Sequence, residues 1–226
     1  VESADVRHLL LSPIDRRRTL LRPLLQRFRA TAFALGLGSA VVGQLVAREV
    51  EGSRAAWAHE AGTGGKALES GILSGNMPIR NFRDGEFPEI SGLEYIMDKI
   101  GVKMEGCWAC AVRCKKVVKA EKPFVVDSDY GGPEYETIGA LGSTCGVSDV
   151  EVVSRANELC NAYSLDTIGT GLAVAFGMEC FEEELISVED TGGVELRFGR
   201  GEALVAMIEK IAKREDMGDV LADGLL

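Results

Sequence analysis

Histidine is the scarcest informative residue: the 226-residue chain has two, His8 and His59. Both precede the tightest group of cysteines, so the Cys–His pairing of common zinc modules has no second half downstream of that group. Basic charge is also in deficit. There are 25 Lys and Arg against 35 Asp and Glu, a formal net charge of −10, which argues against non-specific binding to DNA or RNA. No apolar run reaches the roughly 18 residues needed to span a bilayer. Segment 30–47 comes nearest, but it is rich in Gly and Ala and flanked by Arg. The N-terminus carries early charges, and Pro13, Asp15 and Arg16 to Arg18 interrupt its apolar stretches, unlike a signal peptide. Lysine is missing altogether from the first 50 residues, which hold eight Arg and four acids, about +4; the remainder carries about −14. This boundary divides the chain into an Arg-rich segment 1–51 and a main domain 52–226.

Hydrophobic residues make up 46% of the chain, enough for a sizeable core. Segment 16–50 is helix-compatible, with Leu20, Leu21, Leu24, Leu25 and Phe28 on one stripe. Gly62 to Gly65 reads as a turn or helix entrance, and 74–89, with its Gly, Asn and Pro residues, as an irregular connection. A short helix is expected over 91–100, with Leu93, Ile96, Met97 and Ile100 inside. Val125 and Val126 suggest a short strand, followed by a turn-rich loop from Asp127 to Pro133. From Glu134 onward the pattern is mainly helical. Ser148-Asp149-Val150-Glu151 fits a capping box with Ser148 as the cap. The helix it starts should end near Tyr163 and bury Val152, Ala156, Leu159 and Tyr163, with Val153 and Cys160 alongside. Asp166 or Thr167 can cap the next helix, Ile168 to Met178. That helix is apolar or small on nearly every side and is expected to be buried all round. A further amphipathic helix over 201–215 should bury Leu204, Ile208 and Ile211.

Of six cysteines, three form Cys107-Trp-Ala-Cys110-Ala-Val-Arg-Cys114. A tight triplet in a chain of this size reads as a metal site in a reducing compartment, the cytoplasm, rather than a secreted disulfide scaffold. Thiolates are soft ligands suited to iron–sulfur clusters and zinc. Cys-x-x-Cys converges two sulfurs on one centre, and a third Cys four residues on can reach another corner of a cubane. The radical SAM spacing has its gaps in the opposite order. A [4Fe–4S] cluster is the favoured reading; zinc and three unrelated thiols remain alternatives. Such a cluster takes four thiolates, and Cys145, Cys160 and Cys180 are candidates for the fourth. Around the triplet, Arg113, Lys115, Lys116, Lys119 and Lys122 read either as a field that tunes a cluster and steers an acidic electron carrier, or as a solvated basic face.

Two further segments carry polar groups. Glu134 and Glu136 flank Tyr135 after a Gly-Gly-Pro turn. They could serve proton transfer if partly buried, or simply favour a helix start. Asn161-Ala-Tyr-Ser-Leu-Asp166-Thr-Ile-Gly-Thr-Gly places an amide, a carboxylate and hydroxyls at a break between two helices. Gly169 and Gly171 there would allow close approach of another surface. Asp166 could accept hydrogen bonds from a heterocycle, or act as an ordinary cap.

In their fixed order, GCWACAVRCKK, GGPEYETIGALGSTCG and ANELCNAYSLDTIGTG resemble the aldehyde ferredoxin oxidoreductase family. Upstream GTGGKALESGILSGNMPIRNF and downstream GGVELRFGRGEALVAMIEKIAKREDMGDVLADG extend the resemblance over roughly 52–226. It implies a mainly α fold with minor β, the helical middle domain of such an enzyme, with short strands near the cysteine loop. It also implies a tungsten or molybdenum bis-pyranopterin and one [4Fe–4S] cluster, oxidation of aldehydes to carboxylic acids, and ferredoxin as electron acceptor. Cys107, Cys110 and Cys114 match the first three cluster ligands, the fourth coming from a later domain. Asn161, Leu165 and Asp166 match a pterin-contacting D-x-x-G-L-D motif that reads N-x-x-S-L-D here. Glu134 and Glu136 match the segment whose acid lies near the metal, Glu136 being preferred. The family's N-terminal β-rich domain and later helical domain have no counterpart. The expectation is therefore a truncated product or one subunit of a split enzyme, needing the missing domains or a partner subunit to complete the pterin site. Family members are often dimers, which implies a homodimer. Competing readings are an iron–sulfur electron-transfer module without tungsten, a zinc-stabilised interaction domain, and a misfolding remnant.

Overall fold

The computed structural model describes residues 71–87, 96–108, 110 and 112–225. The chain divides into two compact units, Val1–Gly52 with Ala109–Ala111, and Ser53–Trp108 with Val112–Leu226. In the first, Cys110 is the described residue, and it is exposed. The helix-compatible stripe of 16–50, the turn at Gly62 to Gly65 and Leu93 lie outside the described residues.

The second unit is mainly α with minor β. Residues 75–87 form turns and bends, as their Gly, Asn and Pro content dictates. Helix α1 (Ile96–Ile100) leads directly into β1 (Gly101–Glu105), which pairs antiparallel with β2 (Lys115–Val118); the register shifts between Gly101 and Lys103. These two strands are the whole sheet among the described residues. Val126 does not join a strand with Val125. It makes a single bridge to Ala120 and is buried, whereas Val125 is exposed.

The turn-rich loop closes through a 3₁₀ turn (Ser128–Tyr130) capped by Asp127, whose own N–H donates to Glu158 Oε2 at 2.8 Å. Then come α2 (Tyr135–Thr137) and a wider, π-helical stretch, Ile138–Ser143, every residue of which is buried. The small side chains of Gly139, Ala140 and Gly142 permit that burial.

Helix α3 (Val150–Tyr163) starts one residue later than the capping box suggests. Asp149 is the cap and accepts from Val152 N at 2.9 Å. Asp is as good a cap as Ser, and the shift leaves Val150 and Val153 fully buried, so core packing selects the register. Val152, Ala156, Leu159 and Cys160 are buried as expected, but Tyr163 is exposed. The helix ends at Ser164, in the left-handed region (φ 58°, ψ 37°), with Leu165 N donating back to Cys160 O at 2.8 Å. Position 164 is thus one where glycine fits without strain.

Helix α4 (Thr167–Glu182) is capped by Asp166, which accepts from Gly169 N. It is not buried all round. Ile168, Leu172 and Phe176, spaced four apart, form an exposed apolar stripe. The opposite face lies against the π-helical stretch so closely that a Cβ on Gly171 would sit 2.6 Å from the Ala140 carbonyl carbon. Helix α5 (Gly201–Lys213) buries Leu204, Ile208 and Ile211 as its periodicity requires, and packs on α3 and on α6 (Met217–Leu221).

Two substitutions should move stability in opposite directions. Gly171→Ala forces α4 off the Ala140 backbone and should cost about 1–3 kcal/mol. Ser164→Gly relieves a left-handed Ser and should stabilise by about 0.5–1 kcal/mol. Chemical denaturation of both variants checks the signs. A Gly171→Ala protein as stable as wild type would contradict the close helix contact.

Candidate functional site

Strand β2 is buried at three successive residues, Lys116 to Val118, so both its faces are covered there, while Lys115 at its start stays in solvent. The basic cluster therefore splits. Arg113, Lys115, Lys119 and Lys122 are exposed, whereas Lys116 is 2% exposed. Burial lowers the Lys116 pKa from its ordinary value, and the charges of Glu134 and Cys114 push back up. The next loop lies over this strand, with Gly132 N donating to Lys116 O at 2.7 Å. That contact brings Glu134, half-buried, to the region of the lysine.

The turn that follows is tied to another element. Thr137 and Thr167 share a hydroxyl hydrogen bond of 3.0 Å, which docks α2 on the first turn of α4. Between β2, this turn and the α3–α4 junction lies a cavity of about 220 Å³. Lys116, Glu134, Thr137, Asn157, Asn161 and Thr167 line it, together with the Gly131–Gly132 turn, and Lys115 and Tyr130 also border it. Asn161 is oriented by its own helix, Nδ2 donating to Asn157 O at 2.9 Å and to Asn157 Oδ1 at 3.3 Å.

Asn161 and Asp166 do not border the same cavity. Leu165 and Asp166 line a second one, of about 340 Å³, together with Gly169, Leu172, Ile211 and Leu221. The Asp166 carboxylate is engaged as the α4 cap. Glu136 is exposed and lines neither cavity. One motif spacing thus places its polar ends on two sides of the helix break. The sequence-level reading missed Asn157, Thr137 and Thr167 as lining groups and grouped Lys116 with a surface patch. No local signal separates Lys116 from Lys115, because the strand is buried on both faces from Lys116 to Val118 and only its first residue is open to solvent.

Cys107 follows β1 and Cys114 precedes β2, exposed and half-buried respectively. Among the described residues, no three His, Cys, Asp or Glu side chains are gathered closely enough to hold a metal ion. The donor set nevertheless suits a thiolate-ligated cluster: soft sulfur ligands in a loop open to an incoming inorganic core. Cys145 and Cys160 have a different environment. Cys145 is fully buried, its thiol donating toward Ala140 O and Gly171 O at 3.4 and 3.5 Å, and burial pushes its pKa up to about 12. Burial likewise raises Cys160 to about 11, against a hydrogen bond from Thr170. Both are core thiols. Cys180 is half-buried, and burial raises its pKa too. No helix among the described residues is long and apolar enough to cross a membrane.

The sequence model described as "Aldehyde ferredoxin oxidoreductase, domains 2 & 3" matches residues 42–226, starting ten residues before the expected boundary at 52. The tungsten-containing aldehyde ferredoxin oxidoreductase of Pyrococcus furiosus is 40% identical over 166 residues, 71% of this chain and 27% of the relative. That of Thermococcus kodakarensis is 39% identical over the same length and the same shares. The chain thus spans about a quarter of these relatives. Among solved structures, the active-site complex of a benzoyl coenzyme A reductase bound to 1,5-dienoyl-CoA superimposes with a TM-score of 0.50 at 23% identity, over 63% of this chain and 21% of that one. This last likeness concerns the fold alone.

In cluster-free protein, iodoacetamide should label exposed Cys107 and Cys110 within minutes while sparing Cys145 and Cys160 until unfolding. The stability contributed by the two protonated core thiols is fully present below the ordinary thiol range. It is lost as pH rises from about 9 toward the folded values of about 11 and 12. A Cys145→Ala variant should show a flatter alkaline arm in a denaturation series. Labelling of Cys145 in the native state would contradict its enclosure.

Proposed function

Because the chain belongs to the aldehyde ferredoxin oxidoreductase family, in the part described as domains 2 and 3, we propose that it is the cluster- and pterin-contacting segment of an oxidoreductase. The enzyme oxidises aldehydes to carboxylic acids and hands the electrons to ferredoxin. The observation that carries this reading is the 3.0 Å hydrogen bond between Thr137 and Thr167. It docks the Gly-Pro-Glu-Tyr-Glu-Thr turn on the start of α4, so a carboxylate from one motif and an amide from another border a single cavity. Separate stretches of sequence are thereby brought to one place, as a cofactor-binding segment needs.

Cys107, Cys110 and Cys114 would ligate three corners of a [4Fe–4S] cluster. The enclosure of Cys145 and Cys160 favours a fourth ligand from elsewhere. When bound, a tungsten or molybdenum bis-pyranopterin supplies two-electron oxidation of the carbonyl carbon, and the cluster relays electrons one at a time. The chain's own residues bind and orient. Asn161 offers an amide at the first cavity, while Leu165 and Asp166 offer an apolar contact and a carboxylate at the second. Glu136 stands in solvent on the same turn, open to a substrate held by protein beyond this segment, and is the acid that would exchange a proton with it. Glu134, turned inward, holds its charge near Lys116. Exposed Arg113, Lys115, Lys119 and Lys122 present a positive field suited to docking an acidic ferredoxin. Because the chain spans about a quarter of its relatives, the complete pterin site takes further domains or a partner subunit.

The test is metal content after purification without oxygen and reconstitution with iron and sulfide. About four irons and four sulfides per chain are expected, with a reducible paramagnetic signal, and Cys110→Ala should lose them. Tungsten or molybdenum retained from the cell supports the pterin assignment. Iron without either metal reduces the reading to an electron-transfer module. Zinc as the sole metal, or no metal at all, overturns it.

A further inference from the structure

Lys116 is 2% exposed, and its Nζ has no hydrogen-bond partner. An ammonium kept in the interior without an acceptor is costly, and native proteins rarely hold one without a reason. The fold closes over it instead of letting it reach water. The Gly131–Gly132 loop packs on its stem, where a Cβ on Gly132 would sit 3.0 Å from Lys116 Cβ. Two negative groups act on the ammonium: the Glu134 carboxylate and the sulfur of Cys114. Cys114 is half-buried and stands two residues back along the chain, so the two Cα atoms lie within about 8 Å. The other cations of the loop are placed differently. Arg113 and Lys115 are exposed. Both act on Glu105, which also pairs with Lys103 at 2.6 Å. Their charge is therefore partly offset, and water screens the rest.

We infer that Lys116 sets the reduction potential of the iron–sulfur cluster through Cys114, its ammonium serving the ligated sulfur as donor and counter-charge. This rests on the reading of Cys107, Cys110 and Cys114 as cluster ligands. Uptake of one electron, supplied by carbonyl oxidation and passed on to ferredoxin, breaks no bond. It adds one negative charge to the cluster and its thiolates. A buried cation beside one of those thiolates favours the reduced form, and a hydrogen bond to sulfur acts in the same direction. Interior charge is screened little, so one buried lysine outweighs its exposed neighbours. A thiolate sulfur is also the acceptor that Nζ lacks. Glu134 acts on the same ammonium and offsets part of the effect. It does not reverse it, because the ammonium and not the carboxylate can donate to sulfur.

The test is a redox titration of the reconstituted full chain, with the cluster's paramagnetic signal followed as the potential is lowered. Lys116→Met, close in shape and uncharged, should lower the midpoint potential by about 59 mV or more, a tenfold loss in the one-electron reduction equilibrium. Lys116→Arg keeps the charge and the donors and should restore most of it. Lys115→Met should shift the potential by less than about half as much, and that shift should vanish at high salt. A second measurement needs no change at position 116 and decides the matter should Lys116→Met fail to fold. Protein carrying lysine isotopically labelled at its side-chain nitrogen should show a nitrogen coupling to the reduced cluster in pulsed EPR, retained in Lys115→Met. The inference is overturned by an unchanged potential in Lys116→Met, by an equal shift in Lys115→Met, or by the absence of a lysine coupling. Its failure is separable from that of the functional reading. An unchanged potential on a cluster that assembles removes the role of Lys116 and leaves the cluster assignment intact. A wild-type chain that takes up no cluster overturns that assignment and the inference with it.

Discussion

Helix α4 meets the buried π-helical stretch at Gly171, where backbone lies against backbone at Ala140. A contact this close tolerates no side chain, so it fixes how far α4 can stand from the turn that carries Glu134 and Glu136. The Thr137–Thr167 hydroxyl bond lies at one end of the same interface, and the Cys145 thiol fills it from within. Several features follow from this one approach. The π-helical stretch can be wholly buried because its residues are small, and the first cavity keeps its shape because its two walls cannot slide apart. Cys145 becomes a packing residue, too enclosed to act as a ligand without rearrangement.

The break between α3 and α4 sorts polar groups by direction. A left-handed Ser164 reverses the chain, and Asp166 then caps α4 within two residues. Asn161, before the reversal, borders the first cavity; Leu165 and Asp166, after it, border the second. The spacing that looks like one recognition motif in one dimension is in three dimensions two contacts on either side of a helix junction. A ligand touching both would have to be large and lie along that junction. The apolar stripe of Ile168, Leu172 and Phe176 runs from there along α4.

Charge is divided just as sharply. Four basic residues near the cysteine loop remain in water, where they act at long range and are screened by salt. Lys116 is inside, where screening is weak and each neighbouring group counts. Two adjacent lysines, 115 and 116, thus answer to different physics because the strand is covered on both faces from Lys116 to Val118 and open at Lys115.

The elements with strong local signals were legible from the sequence alone. The amphipathic α5, the extent of α3 and the capped start of α4 follow from periodicity and caps, and the mainly helical fold class follows from their sum. The family, too, was legible, because its motifs depend on residue identity and order, which the chain states directly. What tertiary structure decided were choices between locally equal options. Ser148 and Asp149 cap equally well; burying Val150 and Val153 picked Asp149. Helix α4 has apolar residues all round; only packing against α2, the π-helical stretch and α5 determined that Ile168, Leu172 and Phe176 stay outside. Lysines 115 and 116 have the same chemistry, and pairing with β1 and coverage by the Gly131–Gly132 loop determined which one lost its water. Periodicity and propensity act over a few residues, so they fix what a segment can form. Which face it buries, and which charge is left facing a cavity, depends on partners distant in sequence and is settled only when they meet.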